Sequence, residues 1–319
     1  MSLALRIVFM GTPAFAVSVL DQINKSRHEI VGVVTAQDKP AGRGQLLQES
    51  AVKQYAKQNQ LEILQPPKLK DQIFLAQLAT LKADLFVVVA FRMLPKEVWQ
   101  MPTLGTINLH ASLLPAYRGA APINWAIING EKQTGVTTFL IDEHIDAGNI
   151  LMQETVEVSE NMTVGQVHNI LQEKGAILTL QTCDALAKGN LQAVPQIQIQ
   201  GKRALAPKLF KENTQIDFSK SASEIHNFIR GLDPYPAAWC SLFSKQKQAW
   251  VTFKLFNSQV VDINLSQTNG PIASRDGLLF PCGNNTCLLV KEIQMEGKKR
   301  IDAKAFIAGN DPHLLSYSQ

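Results

Sequence analysis

Cysteine is scarce: Cys183, Cys240, Cys282 and Cys287 are the four in the chain, and no two form a Cys-x-x-Cys pair. Thiols scattered in this way argue against a disulfide framework and a zinc site, so ordinary free thiols and no bound metal are expected. No apolar run approaches the roughly 18 residues of a membrane span. Met1 to Thr12 holds a strand-like run where a signal peptide would have a basic segment and a long apolar core, so the chain is read as cytoplasmic. Two catalytic signatures are also missing. There is no Gly-x-Ser-x-Gly, the nucleophile elbow of a serine hydrolase. After the first strand only Gly11 is present, where a nicotinamide enzyme would carry Gly-x-Gly-x-x-Gly. Internal repeats and low-complexity tracts are absent too.

What is present is globular. The 319 residues are 45% hydrophobic and 18% charged, enough for two domains with cores of their own. The net charge of +4 is unevenly spread. Residues 1 to 100 carry 12 basic and 8 acidic side chains, 101 to 200 carry 4 and 9, and 201 to 319 carry 15 and 10. An acidic middle between basic ends suits a central site flanked by surfaces attractive to a polyanion.

The first half reads as α/β. Leu5 to Met10 is a strand, ended by Gly11, Thr12 and Pro13, with a helix to about Asn24. Strands follow at Ile30 to Val34, Leu61 to Leu64, Leu85 to Ala90, Gly105 to Leu109 and Val136 to Ile141. Helices are expected at Ser50 to Asn59, Asp71 to Leu81, Pro122 to Asn129 and Thr163 to Ala187. Strands apolar on both faces imply a mostly parallel sheet covered by helices. Residues 1–188 are therefore taken as one domain, the Gln-rich stretch 189–207 as a surface linker, and 208–319 as a second domain. In the second domain Ser221 and Glu224 form a capping box. Strands at Trp239 to Phe243, Trp250 to Phe256, Leu278 to Phe280 and Cys287 to Met295 suggest a small β-barrel.

Reactive side chains concentrate at Asn108-Leu109-His110, the carboxyl end of an expected strand, where ligands bind in open α/β sheets. An Asn amide can donate to a developing oxyanion while a neighbouring His acts as acid or base. Taken singly, each residue is better explained as a turn cap or a loop filler; together at a strand tip they point to carbonyl chemistry. The acidic loop Asp142 to Gly148 can supply a carboxylate, from Asp146 or equally from Asp142. Spacing alone does not choose between them, and both residues also suit turns. Between the two clusters, Ser112 to Pro122 interleaves rigid and flexible residues as binding loops do.

These residues resemble a known family. Asn108-Leu109-His110-Ala111-Ser112-Leu113-Leu114-Pro115, then Tyr117-Arg118-Gly119-Ala120-Ala121-Pro122 and Asp146-x-Gly148, are similar to the folate-dependent formyltransferases and hydrolases. Gly11-Thr12-Pro13, the loop Asp38-Lys39-Pro40-Ala41-Gly42-Arg43-Gly44 and a second domain narrow the resemblance to the methionyl-tRNA formyltransferases, along nearly the whole chain. The resemblance implies a Rossmann-like formyltransferase domain with a mostly parallel sheet and a C-terminal OB-like β-barrel. It implies formyl transfer from 10-formyltetrahydrofolate to the amine of methionyl initiator tRNA, by a catalytic trio of Asn108, His110 and Asp146. In that reading Asn108 and His110 hold the oxyanion, His110 passes a proton to the leaving nitrogen, and Asp146 orients His110 and takes the amine proton. Ser112, Leu113, Leu114, Pro115, Lys39 and Arg43 are assigned to the acceptor, and Val89, Ala90, Phe91 and Asp142 to the folate. The stretch Ala90 to Pro95 departs from the family pattern by being one residue shorter, and Ala147 stands where Thr is usual. A monomer is expected. The alternatives are a formyltransferase for a small amine or amino sugar nucleotide, a 10-formyltetrahydrofolate hydrolase, and a non-enzymatic RNA-binding module. The intact trio stands against the last, and the basic C-terminal stretch favours a polyanionic acceptor.

Overall fold

The structure is a computed structural model and describes residues 4–41, 46–201, 203–263 and 268–318. Its first sheet has seven strands: β1 Arg6–Gly11, β2 Glu29–Val34, β3 Ile63–Leu64, β4 Leu85–Val89, β5 Thr106–His110, β6 Gln133–Leu140 and β7 Ile150–Glu157. Their order is β7-β6-β5-β4-β1-β2-β3. The β1–β2, β1–β4, β2–β3 and β4–β5 pairs are parallel, while β5 and β6 are antiparallel. Ile7, Val8, Phe9 and Met10 are all fully buried, as a strand covered on both faces requires. Helices α1 Ala14–Asn24, α2 Ala51–Gln58, α3 Gln72–Thr80, α4 Pro122–Ile128 and α5 Val164–Ala187 connect or follow these strands. Side-chain caps fix the starts of two of them: Ser50 accepts from Lys53 N, and Asp71 accepts from Ile73 N and Phe74 N.

The second sheet is antiparallel. After α6 Ala222–Arg230 come β8 Ala238–Ser244, β9 Ala249–Val261, β10 Ile272–Ser274, β11 Gly277–Cys282, β12 Thr286–Met295, β13 Ile301–Asp302, α7 Ala303–Gly309 and β14 Leu315–Ser316. The order is β10-β11-β12-β9-β8-β14, with β13 on β12. Near the two ends of this path Tyr317 N donates to Asn269 O at 3.1 Å, consistent with an OB-like barrel. In β8 buried and half-buried residues alternate along the strand, and Ala238, Cys240 and Leu242 join Phe253, Leu255, Phe280 and Val290 in one core. Both halves of the Ser221–Glu224 capping box are formed.

The compact units are not contiguous in sequence, unlike the division expected at 188 and 208. One comprises Met1–Gly119, Gly135–Val156 and Asn169–Leu205; the other comprises Ala120–Thr134, Glu157–His168 and Ala206–Gln319. The reason is local bonding that a linear reading does not see. Asn124 donates to Gly231 O at 2.8 Å and Trp125 to Pro207 O at 2.8 Å. The buried Arg230 donates to Ser159 O at 3.4 Å and Met162 O at 3.0 Å. The stretch read as a surface linker is partly built into the first unit: Val194 and Ile150 exchange backbone bonds of 2.8 Å, and Gln196 is only 2% exposed. Strands β7, β10, β13 and β14 and helix α7 were not anticipated, being short, edge-like or polar on one face. Lys39 lies in a short two-stranded ribbon, Lys39–Ala41 pairing with Leu46–Gln48. Arg43 lies outside the described residues.

Candidate active site

The site grows from the tip of β5. Alternation along the strand sends Asn108 and His110 to one face, and Leu109 to the other. On that other face a Cβ on Gly175 of α5 would come within 2.7 Å of Leu109, so glycine permits close helix packing. His110 is buried and its Nε2 lies 2.9 Å from the carbonyl of Tyr117. A carbonyl only accepts, so Nε2 carries the hydrogen and the exchangeable position is Nδ1. Asn108 Oδ1 is buried without a hydrogen-bond partner, a state that generally costs about 1–3 kcal/mol.

The carboxylate arrives by an indirect route. Because β6 runs antiparallel to β5, Leu140 lies opposite Ile107, and the following loop turns back to bring Asp146 to His110. Asp146 adopts a left-handed backbone, φ 51°, and a Cβ on Gly148 would lie 1.7 Å from Leu140 O, so glycine is obligatory there. Asp146 Oδ2 accepts from Gly119 N at 3.0 Å and stands 3.8 Å from His110 Nδ1. The Tyr117 carbonyl orients the imidazole, and Asp146 faces it across a gap too long for a direct hydrogen bond.

Of the two acidic candidates, the structure brings Asp146 to His110. Asp142 instead accepts from His144 N at 2.8 Å, with its side chain 44% exposed. The loop after β5 is held from within. Ser112 Oγ donates to Ala116 O at 2.6 Å, and Thr137 Oγ1 donates to Ser112 O at 2.6 Å while accepting from Leu114 N at 3.1 Å. Ser112, Leu114 and Pro115 are buried, and Leu113 is half-buried against Gly135, so these side chains shape the loop rather than line an open surface. At the end of β4, Val89 is buried, Ala90 is exposed with φ 47°, and Phe91 is half-buried. Arg92 does not simply face solvent: it donates to Pro66 O at 2.6 Å and Pro67 O at 3.1 Å.

Three contributors escaped the sequence reading. Thr137 and Gln153 brace the loop, Gln153 donating to Leu114 O at 2.9 Å, and Gln196 bonds the Asp146 loop. None belongs to a recognisable motif. Among the described residues no three His, Cys, Asp or Glu side chains converge as a metal site would require.

Comparison with known proteins gives this geometry its context. The family described as Formyl transferase matches residues 5–183, and that described as Formyl transferase, C-terminal domain matches residues 208–311. Methionyl-tRNA formyltransferase of Flavobacterium johnsoniae is 48% identical over 305 residues, covering 96% of each chain. That of Bacteroides fragilis is 46% identical over 312 residues, covering 96% of this chain and 95% of its own. Among solved structures, the N-formyltransferase from Helicobacter canadensis in complex with folinic acid and dTDP-3-aminofucose gives a TM-score of 0.67 at 21% identity, covering 91% of this chain and 99% of that one. At that identity the likeness is one of fold. With both family matches and full-length relatives in agreement, the chain belongs to the methionyl-tRNA formyltransferase family.

Proposed function

We propose that the chain transfers a formyl group from 10-formyltetrahydrofolate to the α-amine of methionyl initiator tRNA, for translation initiation. The observation that carries this reading is the approach of Asp146 to His110, two residues along the same strand from Asn108, in a chain 48% identical to a curated enzyme of that name. The folate supplies the formyl group. Asn108 can direct its amide hydrogens at the formyl oxygen as negative charge develops there, and His110 adds a donor from Nδ1 once a proton has reached that nitrogen. Asp146 takes the proton released by the attacking amine and passes it to His110 Nδ1, which delivers it to the departing nitrogen, so both side chains return to their starting states and protons balance. An aminoacyl amine with a pKa at or below about 7.7–8.0 is already partly neutral near pH 7, leaving oxyanion stabilisation as the main demand. No metal is required in this scheme.

Val89, Ala90, Phe91 and Asp142 are assigned to the folate side, with main-chain groups at the β4 end as its contacts. Lys39 and Arg43 are assigned to acceptor phosphates, and Ser112 to Pro115 to the main-chain wall of the acceptor site. One chain carries every residue of the scheme, which suits a monomer. A cytoplasmic setting fits, and among the described residues no helix is long and apolar enough to cross a membrane. The test is acceptor choice. With 10-formyltetrahydrofolate, charged initiator tRNA should be formylated, while a dTDP-amino sugar should not. Preference for the sugar, or folate hydrolysis without an acceptor, would overturn the assignment.

A further inference from the structure

Gln196 lies in a stretch whose composition reads as a surface connector, yet it is 2% exposed and its carboxamide is bonded at both ends. Its Nε2 donates to Asp146 O at 3.0 Å and to Gly148 O at 2.8 Å. Its Oε1 accepts from Arg118 Nε at 3.0 Å and Nη2 at 2.6 Å. One side chain therefore ties the catalytic-aspartate loop to the loop that carries Tyr117 and Gly119. Those loops make the other two bonds that define the site, Tyr117 O to His110 Nε2 and Gly119 N to Asp146 Oδ2. The same segment is anchored on either side: Val194 pairs with Ile150, and Tyr117 N donates to Ala204 O at 2.6 Å.

The arrangement answers a physical need. Asp146 sits in the left-handed region, which a non-glycine residue holds only when its surroundings enforce it. Its carbonyl and that of Gly148 are the backbone groups a tight return loop leaves without strand partners, and a buried carbonyl left unbonded is unfavourable. A Gln supplies two N–H donors for these two carbonyls and an acceptor for the guanidinium, and no other neutral side chain of that length does both.

We propose that Gln196 is a positioning residue for formyl transfer: by clamping Asp146 and Gly148 to Arg118, it fixes the Asp146 carboxylate relative to His110. This rests on the functional reading above, in which Asp146 is catalytic. Gln196→Leu removes all four bonds. Gln196→Glu keeps the length and the Arg118 contacts, but sets a carboxylate against two carbonyls. Both should lower kcat about tenfold to a hundredfold, the range expected when a catalytic group is displaced by about an ångström, with KM for 10-formyltetrahydrofolate within twofold of the parent.

A merely structural residue is separated by a double-mutant cycle. In an Asp146→Ala background, Gln196→Leu and Gln196→Glu should change the remaining rate by less than about twofold, because the group they position is gone. Losses that multiply in that background would contradict the proposal, as would either variant retaining full kcat. If Gln196→Leu does not fold, Gln196→Glu decides the matter. The underlying reading fails separately: it fails if Asp146→Ala alone leaves turnover intact, or if wild-type protein does not formylate charged tRNA.

Discussion

His110 Nδ1 lies 3.8 Å from Asp146 Oδ2. That distance is beyond a hydrogen bond but within ion-pair reach, so a proton arriving at Nδ1 is stabilised by the carboxylate without being shared in the resting state. Asn108→Ala, His110→Ala and Asp146→Ala should each reduce formyl transfer about a hundredfold or more in folded protein. Because all three act on one transition state, the double variants should be little worse than the worst single one. Strictly multiplicative losses in steady-state kinetics would mean that the residues act in separate steps.

Gly148→Ala probes the return loop. An added Cβ would sit 1.7 Å from Leu140 O, and backbone cannot move aside as a side-chain tip can. The variant should lose at least the ~1–3 kcal/mol typical of overpacking in urea denaturation, and activity with it. Unchanged stability together with full turnover would show that the loop has an alternative path.

Stability should also depend on pH through His28. It is 5% exposed, accepts from Leu5 N at 3.1 Å through Nδ1, and faces Arg27 and Asp184. Burial lowers its pKa, outweighing the pull of the Asp184 carboxylate, so the fold holds the neutral ring. A lowered folded pKa means that the unfolded chain takes up the proton first. The contribution is therefore complete above the unfolded pKa of about 6.5 and erodes as pH falls below it, by at most about 1.4 kcal/mol per pH unit. His226 is shifted the same way by burial and adds to the slope. His28→Asn should flatten the urea-midpoint profile between about pH 7 and 5; an unaltered profile would assign the acid sensitivity elsewhere.

Acceptor binding should be steeply salt-dependent, each phosphate contact adding about 0.7–0.9 to the slope of log affinity against log salt. Lys208, Lys211, Lys245, Lys247, Lys298 and Lys299 are candidate contributors. Arg300 is engaged within the fold instead. It is paired with Asp233 at 2.9 Å and Glu292 at 2.6 Å, and its guanidinium stacks 3.9 Å from the Phe256 ring centroid. Arg300→Ala should therefore weaken the second unit's stability and leave the salt slope nearly unchanged, whereas Lys208→Ala with Lys211→Ala should make it shallower. The reverse pattern in filter binding would reassign Arg300 to the acceptor.

Much of this was legible in the residues. Period-2 strands, the Ser221 capping box and the apolar run of β4 mark their own elements, and Asn108, His110 and Asp146 stand in motifs dense enough to be singled out. What was not legible depends on long-range bonds. Nothing near Asp146 shows that β6 is antiparallel to β5, so the route of its loop could not be foreseen. The ring-orienting role of the Tyr117 carbonyl is a main-chain effect, to which the side-chain alphabet is blind. Gln196 lies 50 residues beyond Asp146 in a polar stretch, and a cut at 188 would remove it from the site it supports.

The central claim is that His110 and Asp146 act on the transferred group, and single-turnover formylation measures it most directly. Saturating 10-formyltetrahydrofolate and charged initiator tRNA would be mixed with excess wild-type, His110→Ala or Asp146→Ala protein, with folate and tRNA affinities measured in parallel. The account predicts first-order rates about a hundredfold or more below wild type for both variants, at affinities within a few-fold of the parent. Rates within about threefold of wild type in folded variants, or losses fully explained by weaker binding, would contradict it.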